Sequence, residues 1–135
     1  MINQWSNTYY YNLSFLEIQK SNFDLAHTYI LKIDEQDAFY QIRYKALLLR
    51  IYYEKREYPP LISLLESFKK FLSRNKDLNE SQKQIYLSFI KFLNSLVLIP
   101  NGENAKLKLL RSKVEKNNIV SSKIWLLNCI DRKMR

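Results

Sequence analysis

The chain has 135 residues, with 22 Lys and Arg against 13 Asp and Glu, a formal net charge of +9. Apolar residues make up 47%, too many for intrinsic disorder, and the length predicts a single domain spanning 1–135. One Gly (Gly102), one His (His27) and one Cys (Cys129) exclude glycine-rich phosphate cradles, His/Cys zinc sites, disulfide frameworks and redox pairs.

The apolar spacing is helical almost everywhere, which predicts an all-α fold of about seven antiparallel helices. The first is expected over about 3–19, broken by Ser21-Asn22. The second, about 23–33, puts Phe23, Ala26, Ile30 and Ile33 on one face. The third, about 37–55, aligns Phe39, Ile42, Ala46, Leu49 and Tyr53. The clearest stripe follows: Leu61, Leu64, Leu65, Phe68, Phe71 and Leu72, opened by Pro59-Pro60, where a proline loses no intrahelical bond, and ending near Arg74.

A long helix over about 80–99 carries Ile85, Phe89, Phe92, Leu93 and Leu96, with Tyr86, Leu87, Ile90 and Val97 on other faces. A helix apolar on two sides is a central one. Asn79 followed by Gln82 has the spacing of a capping box, and Pro100-Asn101-Gly102 is a strong turn. The sixth helix, about 103–116, presents Leu107, Leu110 and Val114. The last, about 121–133, is expected to start with Ser121 as N-cap and to face Ile124, Leu127 and Ile130 inward. These pair into hairpins at about 3–33, 37–75 and 79–117, with 121–133 as a C-terminal capping helix.

Two segments repeat at an offset of 35 residues: Leu13, Phe23, Ala26 and Ile30 superpose on Leu48, Tyr58, Leu61 and Leu65. The run Leu48-x3-Tyr52-x5-Tyr58-x2-Leu61-x3-Leu65-x2-Phe68 resembles the tetratricopeptide family, a helix–turn–helix repeat of about 34 residues. The resemblance covers about residues 8–72. The family's small residue on the first helix is Ser14 in one copy and Leu49 in the other; its close-contact Ala is Ala26 in one and Leu61 in the other; its terminal Pro is absent from both. It implies an α-solenoid, and it implies that the first helix of each pair lines a groove for a protein partner, here Arg43, Ala46, Arg50 and Tyr53. The spacing of Arg43, Arg50 and Tyr53 puts those three on one face in any case. Two Arg beside a Tyr form a patch suited to carboxylates.

Charge and aromatics are unevenly placed. Residues 1–67 hold seven bases and eight acids; residues 68–135 hold fifteen and five. Lys106, Lys108, Arg111, Lys113 and Lys116 form a candidate basic patch for an acidic partner or, as the alternative, nucleic acid. No aromatic interleaves them as a base-stacking platform requires. Trp5, Tyr9, Tyr10 and Tyr11 offer an aromatic surface for self-association, or for continuation of a longer array of which this is the C-terminal end. His27, Cys129 and the carboxylates Asp34, Glu35, Asp37, Glu54 and Glu57 read as packing and helix-terminus residues. No catalytic site, metal or cofactor is expected. The segment Met1-Ile2-Asn3-Gln4-Trp5 has no signal-peptide pattern, and no window nears the ~18 apolar residues of a membrane span, so a cytoplasmic location is expected. The functional expectation is a protein-interaction module or scaffold.

Overall fold

The structure is a computed structural model and describes residues 4–34, 38–118 and 120–134; of Gln4 and Trp5 it describes the backbone alone. Among these residues there are seven helices and no strand: α1 (Gln4–Gln19), α2 (Phe23–Ile30), α3 (Ala38–Glu54), α4 (Tyr58–Arg74), α5 (Glu80–Leu98), α6 (Asn104–Lys116) and α7 (Lys123–Lys133). The fold is all-α, as the periodicity predicts. The chain divides into two compact units, Met1–Phe71 and Leu72–Arg135, and the division falls inside α4.

In the first unit α1, α2 and α3 pack on one another. Ile18, Ala26, Ile30, Ile33, Tyr44, Leu47, Leu48 and Ile51 form its core, with Tyr10, Tyr11, Phe23 and Leu64 packed partly against it. Small residues let α1 and α2 approach closely: Ser14 and Ala26 are both fully buried, and the Ser14 hydroxyl donates to the Ala26 carbonyl at 2.8 Å. Asn7, also buried, spends its side-chain amide on one residue, donating to the Asp34 carbonyl (3.2 Å) and accepting from the Asp34 N–H (2.9 Å). That pair ties the end of the α2 connection back to α1.

The two hairpin turns of this unit are the same turn. In the first, Ser21 N–H donates to Ile18 O (3.0 Å) and Asn22 N–H to Glu17 O (2.8 Å); in the second, Arg56 N–H donates to Tyr53 O (3.1 Å) and Glu57 N–H to Tyr52 O (2.9 Å). Ser21 (φ 62°) and Arg56 (φ 59°) are both left-handed. This is the paired-bond, left-handed helix ending in which two orphan carbonyls find donors. Both backbone hydrogen bonds and the left-handed residue recur 35 residues on, so the side-chain period has a backbone counterpart.

In the second unit α5, α6 and α7 pack against each other. Phe89, Leu93 and Leu96 of α5, Leu107, Leu110 and Val114 of α6, and Trp125, Leu126, Cys129 and Ile130 of α7 are buried. Phe89 and Trp125 meet with ring centroids 6.1 Å apart. α5 opens with the predicted capping box: Asn79 Oδ1 accepts from Gln82 N–H at 2.8 Å, and Gln82 Oε1 accepts from Asn79 N–H at 3.0 Å.

The two helix ends that face α7 are closed by lysines. Lys133 Nζ donates to the carbonyls of Leu96 (2.6 Å) and Ile99 at the end of α5, and Gly102 N–H donates to the Lys133 carbonyl at 3.1 Å. Lys123 Nζ donates to the carbonyls of Glu115 (2.7 Å) and Asn117 (3.1 Å) at the end of α6. A cation on the last carbonyls of a helix answers both the unmet acceptors and the negative end of the dipole.

Local expectations are corrected at three places. Ser121 is not the N-cap of α7: its N–H donates to Ile85 O (3.2 Å), and left-handed Ser122 (φ 57°) precedes the helix with no side-chain cap bond. Ile124 faces outward at 77% exposure. The buried stripe of α7 centres on Leu126, Cys129 and Ile130, and Ile124 lies about 200° round the helix from Leu126. Phe39, aligned with the α3 core residues, is 47% exposed, whereas Tyr44, Leu47, Leu48 and Ile51 are buried on the other flank. α3 is therefore buried on two sides.

Candidate functional site

Two strips carry the candidate binding chemistry, one in each unit. On α1, Tyr11 and Phe15 are four residues apart and so share a face. Arg43 and Arg50 of α3, seven apart, lie over them: the Arg43 guanidinium carbon is 4.6 Å from the Tyr11 ring centroid and 5.3 Å from that of Phe39, and Arg50 is 5.6 Å from Phe15. Each contact is of cation–π length. A ring beneath a guanidinium narrows the orientations that its N–H donors can take. Of the expected groove residues, Arg43, Arg50 and Tyr53 are half-buried on this side of α3, and Ala46 is buried at 6% exposure. Tyr11 and Phe15 belong to the strip and are missed by a reading of α3 alone; their spacing of four was the available signal.

Of the proposed aromatic surface, Tyr9 is 59% exposed, with its ring edge-on to Tyr10 at 5.4 Å. Tyr10 and Tyr11 pack partly against the core, and Lys32 sits 5.4 Å over the Tyr10 ring. The Trp5 side chain lies outside the described residues, as do Glu35 and Asp37.

The five bases of the expected α6 patch separate. Arg111 is engaged by Asp131 (Nε–Oδ1 2.8 Å) and by Glu115. Lys106 and Lys113 border a groove between α5 and α6; Lys108 and Lys116 are exposed elsewhere on α6. The groove has a volume of about 330 Å³, a floor that includes Phe92 and Leu110, and a third lysine, Lys91, on the α5 side. Leu98 and Leu109 line it while 72% and 59% exposed. Lys91, Leu98 and Leu109 were missed from sequence, although Leu109 stands visibly off the Leu107–Leu110–Val114 stripe.

His27 stands edge-on to Tyr52 (centroids 5.6 Å apart), and burial, then the nearby Lys55 charge, lower its pKa below the ordinary histidine value. Lys55 bridges Asp24 (2.8 Å) and Glu57 (2.9 Å); its hydrogen bond lowers the Asp24 carboxyl, and the two carboxylates in turn raise the Lys55 ammonium. Burial lowers the Lys133 ammonium. Cys129 is buried, with the Arg132 guanidinium 3.1 Å from its sulfur. Among the described residues no group of three or more His, Cys, Asp or Glu is placed to hold a metal ion, and no helix is long and apolar enough to cross a membrane. Comparison with protein-family models, with curated proteins and with solved structures finds no match.

Proposed function

We propose that the chain is a non-catalytic protein-interaction module whose first two hairpins stack in the manner of the tetratricopeptide family and whose α1/α3 strip receives an acidic, extended peptide segment. The observation that supports this most is the pair of guanidinium groups held over aromatic rings, Arg43 on Tyr11 and Arg50 on Phe15. Arg and Tyr are enriched among the residues that carry binding energy at protein interfaces because they combine apolar area with directed polar edges, and guanidinium groups held by a ring lose less freedom on meeting a carboxylate. Exposed Tyr9 and Leu16 on α1 extend the same element with apolar area.

The test uses short labelled peptides rich in Asp and Glu, titrated into the full chain by fluorescence anisotropy. Arg43→Glu combined with Arg50→Glu is expected to weaken binding by about tenfold or more, with unchanged helical circular dichroism. Equal affinity in the double variant removes the strip as the site.

A second reading, nucleic-acid binding, draws on the fifteen bases of residues 68–135. Arg111, Lys123 and Lys133 are engaged inside the fold, which takes three charges out of it. Random-sequence RNA that binds at low salt and is released steeply as salt rises would favour it over the peptide reading.

A further inference from the structure

The α5/α6 groove of the second unit combines three features that packing of the unit does not use. Its flanks are apolar and exposed: α6 already buries Leu107, Leu110 and Val114, so Leu109, off that stripe, is left at 59% exposure, and Leu98 at 72%. Its rim is cationic: Lys91, Lys106 and Lys113 border it, with no carboxylate among the lining residues. Those three ammonium groups make no ion pair or hydrogen bond with a described residue, in contrast to Arg111, Lys123 and Lys133 nearby. On α6 the residues Lys106, Leu109, Leu110 and Lys113 fall at offsets of 0, 3, 4 and 7, a single helical face with its charges at the two ends and its leucines between.

We infer that this groove docks an acidic amphipathic helix of a partner protein, one that inserts Leu or Phe side chains between Leu98 and Leu109 and sets Asp or Glu against Lys91, Lys106 and Lys113. Shape selects the occupant. A trough between two neighbouring helices is what a third helix fills, ridge into groove. A bilayer surface is flat and is met by protruding apolar residues, whereas here the apolar floor of Phe92 and Leu110 is recessed. Charge selects it as well, because an occupant with basic flanks would be repelled by three uncompensated lysines. Single-stranded nucleic acid lacks its stacking platform: Phe92, the aromatic in the lining, is buried. The inference concerns the second unit and stands apart from the α1/α3 strip.

The experiment uses the full chain and a synthetic helical peptide with Leu and Phe at i, i+3, i+4 and i+7 and Glu on the flanking positions. Three comparison probes accompany it: the same composition scrambled off the stripe, random-sequence RNA, and vesicles of anionic lipid. Saturable binding of the striped peptide is expected, at least about tenfold tighter than the scrambled one. Lys106→Glu with Lys113→Glu, and separately Leu109→Ser, should each weaken it by about tenfold or more; all three positions are exposed, so melting should stay as in the parent. Arg43→Glu with Arg50→Glu should leave it unchanged, which separates failure here from failure of the strip. Amide shifts on adding peptide should cluster on the facing sides of α5 and α6. Equal affinity for striped and scrambled peptides, indifference to the groove variants, shifts clustered elsewhere, or preference for RNA or vesicles would each overturn the assignment.

Discussion

The two units end their helices by different means. The first reverses its chain twice with one backbone device, the left-handed turn at Ser21 and again at Arg56, and needs no side chain to do it. The second sends lysines from α7 to the exposed carbonyls, Lys133 to the end of α5 and Lys123 to the end of α6. A backbone device can repeat at a fixed period because it depends little on residue type. A side-chain device needs a third element in a particular place, so it is unique to its bundle. The contrast also bears on charge: part of the basic surplus of residues 68–135 closes helices and pairs with acids, and Lys91, Lys106 and Lys113, which have no such task, border the groove.

The largest expected effect probes how deep the repetition of the first unit goes. Leu61 occupies the position of Ala26 and is fully buried, as is Leu49. Leu61→Ala makes the second copy match the first at that position but leaves a void where the buried leucine stood, and is expected to cost about 2–5 kcal/mol in urea unfolding. A loss below about 1 kcal/mol would mean that the second hairpin closes up as the first does at Ser14 and Ala26.

Next in size is the lysine device. Lys133→Met keeps most of the apolar stem and removes the donor to Leu96 and Ile99. Hydrogen bonds from a charged donor are worth about 1.5–3 kcal/mol, and the desolvation that lowers the Lys133 ammonium works against them, so a loss of about 1–2 kcal/mol is expected. Faster hydrogen exchange over the last turn of α5 should accompany it. Unchanged stability and exchange would mean that the cap is dispensable and the two units differ less than the contacts suggest.

The smallest effect has the opposite sign. Arg56 pays a steric penalty at φ 59° that glycine escapes, so Arg56→Gly should raise the melting temperature, by about 1 kcal/mol of stability. The matching change Ser21→Gly should act alike if the two turns are equivalent, and a gain at one alone would split the repeat.

Much of the helical frame was legible because its signals are local. The stripe from Leu61 to Leu72, the Asn79–Gln82 capping box and the turn at Gly102 depend on spacing along the chain, and all three are found. Ile124 was placed inward because three apolar residues at helical spacing look alike whichever side the neighbours take; α5 and α6 chose Trp125, Leu126, Cys129 and Ile130. On α3 the spacing places Ile42, Ala46 and Leu49 inward, as they are, but it also includes exposed Phe39 and does not show the second buried flank through Tyr44, Leu48 and Ile51. Among the site residues, the shared face of Arg43, Arg50 and Tyr53 could be read from one helix, whereas the rings of Tyr11 and Phe15 beneath the two guanidinium groups could not.

What the amino-acid sequence determined by itself is therefore the all-helical class, the seven segments, most of their inward faces and the period of 35 in the first half, since each follows from hydrophobic spacing or capping within a turn or two of chain. Only the tertiary structure decided which charges are spent and which are available. Whether a lysine meets a carbonyl of another helix, a carboxylate twenty residues away or open solvent depends on packing between elements, and a one-dimensional pattern carries no coordinate for that.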